Sequence, residues 1–170
     1  MGKITLITGG QRSGKSRYAN QMAQEINNHP VYLATSRKWD KDHEKRIKKH
    51  QEDRGKQWTT IEEEKHISKH DWKGKTVLMD CVTLWLTNFF YDNKNDIEHS
   101  LEQAKKELKA VLKQDTHFII VSNELGMGGH PENQIQMKFN DLQGWTNQFI
   151  AEMAEEVYLM VSGIPVNIKG

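Results

Sequence analysis

The residues Gly9-Gly10-Gln11-Arg12-Ser13-Gly14-Lys15-Ser16 satisfy the pattern G-x-x-x-x-G-K-S/T, directly after a β-branched run and directly before a helical pattern. Glycines in such a loop let backbone N–H groups turn inward around phosphate oxygens, and the start of the helix adds partial positive charge. Lys15 then reaches the β- and γ-phosphates of a nucleoside triphosphate, ATP or GTP, and Ser16 sets its hydroxyl on Mg²⁺. A carboxylate at the end of another strand normally completes the metal shell. Asp80, closing Thr76-Val77-Leu78-Met79-Asp80, fits that role, the competing reading being a simple helix cap. Cys81 beside it has no evident helix start or basic partner and reads as a small buried hydrophobe.

A second cluster lies in the charged stretch Asp42 to Arg54, where His43, Arg46, Ile47, His50 and Arg54 share one helical face at i, i+3 or i+4 spacing. His50 sits among cations. A neutral imidazole there could attack a nucleotide α-phosphate, forming a phosphoramidate and releasing pyrophosphate, with Arg46 and Arg54 holding phosphate oxygens. The spacing by itself equally describes a solvated histidine on a charged helix.

These residues need a scaffold, and the apolar pattern describes one. Ile4–Thr8, Val31–Thr35, Thr76–Met79 and Phe118–Ser122 are short β-branched runs that read as buried parallel strands. Val157–Val161 makes a fifth strand, and Pro165–Ile168 a short antiparallel edge strand after the Ser162-Gly163 turn. Helical patterning covers Lys15–Ile26, Asp42–Arg54, Ile97–Lys113 and Gln134–Glu155, the last with a break expected at Gly144, while Tyr91 to Glu98 reads as a surface loop. The alternation predicts an α/β fold of the P-loop type, a mostly parallel sheet with helices on both faces.

Length and charge narrow the field. A chain of 170 residues suits one domain, residues 1–170, and no repeat or linker divides it. Lys+Arg 24 against Asp+Glu 23 provides no field for nucleic acid or an acidic membrane. The apolar runs are too short to span a bilayer, and the beginning of the chain lacks a signal-peptide pattern, so a cytoplasmic location is expected. A small GTPase would need N-K-x-D, and Asn123-Glu124-Leu125-Gly126 lacks both the Lys and the Asp. A DNA-dependent ATPase would show a basic face. What remains is a small-molecule transferase, with a kinase for another alcohol and a nucleotide-dependent regulator as rivals.

Several further motifs stand in order along the chain. They are T-G-G-x-R-S-G-K-S at Thr8–Ser16, Ala34-Thr35-Ser36, R-I-x-x-H-x-x-x-R at Arg46–Arg54, Trp58 with Thr60 and Glu62, Val82-Thr83-Leu84-Trp85-Leu86-Thr87-Asn88, Asn123-Glu124-Leu125-Gly126-Met127-Gly128, Pro131-Glu132-Asn133, and Val161-Ser162-Gly163-Ile164-Pro165. With these the sequence resembles, from first strand to last, the bifunctional adenosylcobinamide kinase/adenosylcobinamide-phosphate guanylyltransferases of cobalamin biosynthesis.

The resemblance implies two reactions. The γ-phosphoryl group of ATP or GTP passes to adenosylcobinamide, and GMP from GTP then passes, through a guanylyl-histidine, to adenosylcobinamide phosphate, giving adenosylcobinamide-GDP. It also implies that His50 is the guanylylated histidine, and that nucleotide contacts come from Gly9, Gly10, Gln11, Arg12, Ser13, Gly14, Lys15 and Ser16. Ala34, Thr35, Ser36, Gln51, Glu52, Asp53, Arg54, Glu62 and Asp80 join them, with Ser16 and Asp80 toward Mg²⁺. A homotrimer is implied as well. Lys49 stands where some members carry a second histidine, and Asp80 at a position where the family also uses Glu. The apolar Trp85, Leu86, Phe89 and Phe90 read as core or subunit interface.

Overall fold

A computed structural model describes all 170 residues. Seven strands, β1 (Lys3–Gly9), β2 (Val31–Ala34), β3 (Thr59–Glu62), β4 (Thr76–Asp80), β5 (His117–Asn123), β6 (Glu156–Val161) and β7 (Ile164–Lys169), form one sheet in the order β3-β2-β4-β5-β1-β6-β7. All neighbours pair in parallel except β6 and β7, which form the antiparallel edge expected from the Ser162-Gly163 turn. The helices are α1 (Lys15–Ile26), α2 (Lys41–Asp53), α3 (Val82–Asp92), α4 (Ile97–Val111) and α5 (Gln134–Met153).

Alternation along each strand sorts the core into two layers. Ile4, Leu6, Leu33, Val77, Met79, Phe118 and Ile120 pack with residues of α3, α4 and α5, whereas Ile7, Leu78, Ile119 and Val121 pack with Ala19 and Ala23 of α1. Helix starts follow their capping residues. Asp40, Asp96 and Asn133 accept from the backbone N–H of His43, His99 and Gln136 at 2.7, 2.9 and 2.8 Å. Helices α1 and α3 lack such a cap; α1 follows Gly14, which has no side chain to cover the first turn, so its first N–H groups stay available to an anion.

The structure corrects several boundaries. Thr59–Glu62 is a strand that four residues of partly exposed edge could not announce by pattern. Val82–Asp92 is a helix whose near-continuous apolar run hid its period, with Trp85, Leu86, Phe89 and Phe90 buried; it shortens the Tyr91–Glu98 loop. Strand β2 stops at Ala34 rather than Thr35, and α2 runs Lys41–Asp53 rather than Asp42–Arg54. Gly144 does not break α5, because buried Leu142, Gln143, Thr146 and Ile150 tie both sides of it down and outweigh a glycine cost of about 1 kcal/mol.

Candidate functional site

The parallel order brings the carboxyl ends of β1, β2 and β4 to one edge of the sheet, where an open α/β fold receives ligands. From β1 the chain turns through Gly9–Ser16 into α1. A Cβ on Gly9 would lie 2.7 Å from Ser13 Oγ and 2.9 Å from the Met160 carbonyl, so the close passage over β6 requires glycine. Gly14 takes a φ of 94°, which a larger residue would resist. Lys15 is buried and donates to the Gly10 carbonyl at 2.6 Å, curling across its own loop, and burial lowers its pKa against the attraction of Asp80.

Ser16 Oγ donates to Asp80 Oδ2 at 2.7 Å. The hydroxyl and the carboxylate that the motif assigns to a metal are therefore already in contact across α1 and β4. Burial raises the Asp80 pKa, opposed by the Ser16 hydrogen bond and by the charges of Lys15, His50 and Arg54. Such a carboxylate gains by meeting a cation. One carboxylate and one hydroxyl, with no cluster of three or more His, Cys, Asp or Glu, suits Mg²⁺, which prefers to keep water and nucleotide oxygens. The hydroxyls of Thr8 and Ser13, the Nε of Arg54 and the Oδ1 of Asn88 are buried without a protein partner.

Helix α2 crosses above this edge. The face anticipated from its spacing is realised: His43, Arg46, Ile47, His50 and Arg54 line a cavity of about 220 Å³ with Tyr32, Ala34, Thr35, Ser36, Glu62, Asp80 and Leu84. An adjoining space of about 550 Å³ is bounded by Ser16, Asn20, Gln24, Asp53 and Trp58, and shares Tyr32, His50, Arg54, Asp80 and Leu84 with the first. His50 thus borders both spaces, as does Asp80 of the metal-type pair. Arg54 lies with its guanidinium 3.4 Å from the centre of the Tyr32 ring, and burial lowers its pKa, chiefly offset by Tyr32 and then Asp80.

Other residues distribute unevenly. Thr35 turns inward, its hydroxyl donating to the Cys81 carbonyl at 3.1 Å while its own carbonyl accepts from Asn88 at 2.7 Å. Ser36 Oγ pairs with His43 Nε2 at 2.6 Å. Gln51 donates to Glu62 at 3.2 Å, joining α2 to β3. Glu52, two positions from His50, is exposed and lines neither space, and Gln11 and Arg12 are exposed on the loop. Cys81 is buried and its thiol is pushed up to about 11, which keeps it protonated. Asn123 ties its loop to α3, donating to Thr83 at 3.0 Å, while Glu124 serves its own loop, accepting from the N–H of Gly126 and Met127.

Tyr32, Leu84, Asn20 and Gln24 were not legible as site residues. For the last two a signal existed, since Ser16, Asn20 and Gln24 repeat at four-residue spacing on one face of α1. Tyr32 carried only its place in a strand beside Ala34.

A phosphate loop at a helix start, a hydroxyl–carboxylate pair behind it and a histidine helix above it define a P-loop nucleotide-binding protein. Its fold is shared, at 12% identity and a TM-score of 0.50, with a KaiC-like protein from Pyrococcus horikoshii, over 92% of this chain and 70% of that one. Residues 5–168 match the family model described as cobinamide kinase / cobinamide phosphate guanyltransferase, and the chain belongs to that family. It is 35% identical to the bifunctional adenosylcobalamin biosynthesis protein CobU of Escherichia coli, covering 98% of this chain and 99% of the relative. It is likewise 35% identical to the corresponding CobP of Pseudomonas aeruginosa, over 97% and 96%.

Proposed function

We propose that the chain phosphorylates adenosylcobinamide with ATP or GTP and then transfers GMP from GTP to adenosylcobinamide phosphate through a guanylyl group on His50. The observation that carries this reading is that His50, Ser16 and Asp80 border one continuous space. In the first reaction the acceptor hydroxyl oxygen bonds to the γ-phosphorus as the bond to the β-phosphate oxygen breaks, and the hydroxyl proton passes to solvent water. The Gly9–Ser16 backbone holds the phosphates and Lys15 neutralises charge gathering on the β–γ oxygens. Ser16 and Asp80 would hold Mg²⁺, which supplies charge neutralisation at the phosphates when bound.

In the second reaction an imidazole nitrogen of His50 bonds to the α-phosphorus of GTP and pyrophosphate leaves. An oxygen of the corrinoid phosphate then attacks the same phosphorus, the N–P bond breaks, and His50 is regenerated. Arg54 and Arg46, on the His50 face of α2, stabilise negative charge on the α-phosphate. Ala34, Thr35, Ser36, Asp53 and Glu62, which line the two spaces, complete the nucleotide contacts, with Gln51 donating to Glu62 and Glu52 outside both spaces. Residues 1–170 work as one domain in this reading, in the cytoplasm and as a homotrimer. No helix is long and apolar enough to cross a membrane.

The test is incubation with Mg²⁺ and GTP labelled at the α-phosphate, beside the His50→Ala variant. Acid-labile, alkali-stable label on the wild type alone is expected. Absence of label on folded, GTP-binding protein removes the guanylyl-histidine, and γ-phosphate transfer to adenosylcobinamide then decides whether the kinase half stands.

A further inference from the structure

Beside the nucleotide cavity the chain exposes two large aromatic side chains in contact with each other. Trp39, in the connection from β2 to α2, is 43% exposed, and Tyr91, in the last turn of α3, is 64% exposed. Their rings meet edge to face with centroids 5.3 Å apart, and the Arg37 guanidinium lies 5.4 Å from the Trp39 ring centre. This group is anchored. Arg37 grips both oxygens of Asp92 at 2.8 and 3.0 Å and Glu64 at 2.8 Å, and Lys65 adds a further bond to Asp92 at 2.9 Å. Three separate segments are thus pinned to hold two rings that each leave a large part of their surface in water.

Their position gives the reason. A surface hollow lined by Arg37, Lys38, Glu62 and Glu64 also includes Ala34 and Ser36, so it runs into the cavity that His50 overlooks. That cavity is about 220 Å³ and adjoins the space of about 550 Å³ assigned to the nucleotide, so a bound nucleotide leaves little further room. It admits a phosphate-bearing arm and leaves a macrocycle outside. A corrin is broad and flat, apolar on its faces and fringed with amides. An aromatic pair with carboxylates and a guanidinium at its edge presents the matching surface.

We infer that Trp39 and Tyr91 form the platform on which the corrin ring of the acceptor rests while its side arm enters the cavity past Ser36. This rests on the proposed activity and names the acceptor subsite within it. Arg37 and Glu64 meet the peripheral amides, and Asp92 and Lys65 hold Arg37 in place.

Steady-state kinetics and equilibrium binding with adenosylcobinamide test the platform in Trp39→Ala, Tyr91→Ala, Trp39→Phe and, as a control, Trp145→Ala, a tryptophan 47% exposed on α5. Loss of either platform ring is expected to raise KM and Kd for the corrinoid about tenfold with kcat within about twofold. Trp39→Phe should recover most of that loss, Trp145→Ala should change nothing, and labelling of His50 by GTP alone should stay at the wild-type level. Wild-type corrinoid affinity in both alanine variants overturns the platform while leaving the proposed activity intact. A rise in KM for GTP instead of the corrinoid also overturns it, assigning the rings to the nucleotide base. A wild-type protein that binds no corrinoid overturns platform and proposed activity together.

Discussion

Helices α1 and α2 both reach the nucleotide edge of the sheet, and they are held there in opposite ways. Helix α1 buries Lys15, Ala19 and Ala23 against β4 and β5, whereas α2 has no buried residue at all. The first is locked by packing, so the phosphate loop at its start keeps its shape. The second is held by its Asp40 cap, by Gln51 to Glu62, by Ser36 to His43 and by the side chains it lays over the cavity. This division suits an enzyme with one phosphate loop and two chemistries. In the proposed mechanism the loop stays fixed for γ-phosphoryl transfer, and the histidine helix settles toward the α-phosphate.

The contrast can be broken at its chemical end first. His50→Ala should lower guanylyl transfer by about 10⁴-fold or more while keeping kinase turnover and the wild-type melting temperature, because that side chain is exposed. Parallel assays of the two half-reactions read this directly, and equal loss of both would tie α2 to the kinase step. Lys15→Ala, on the locked side, should lower kinase turnover by about 10²–10³-fold. Guanylylation of His50 should fall with it, since both reactions use the same cradle.

Packing offers the next test. Ala23→Leu, in the tight α1 layer, should cost about 1–3 kcal/mol in denaturant unfolding, against less than about 0.5 kcal/mol for Ile47→Ala on α2. Comparable losses would show that α2 is docked as firmly as α1.

Two carboxylates sharpen the same point through pH. At Glu63 burial, which alone would raise the pKa, is outweighed by Lys69, by the N–H groups of Lys65 and His66, and by His70, so it falls from 4.5 to about 2. Its contribution, on the order of 2 kcal/mol, is therefore full above about pH 4.5 and fades as pH falls toward about 2. The stability difference between wild type and Glu63→Gln, followed by thermal melts, should shrink across that window. Asp80 is the reverse case. Its pKa is raised by burial, so ionising it costs the free protein stability as pH rises. Asp80→Asn should leave the melting temperature unchanged or higher while abolishing the Mg²⁺-dependent reaction, and a large drop in melting temperature would make Asp80 a structural residue.

The sequence by itself determined what local rules govern. The loop Gly9–Ser16 announced itself because backbone geometry dictates its residue types, and the β-branched runs of β1, β4 and β5 because both their faces are buried. The face of α2 was legible because helical period is a property of neighbours in the chain. The pairing of Asp80 with Ser16 was expected from the loop motif, and only the tertiary structure decided that they touch across 64 positions, that Tyr32 underlies Arg54, and that Trp39 and Tyr91 come together. It also made a strand of Thr59–Glu62 and a helix of Val82–Asp92, since a short edge takes its order from β2 and a mostly apolar helix from the core around it. Contacts between distant segments carry no periodic trace, because the sheet order that creates them is set by packing of the whole chain.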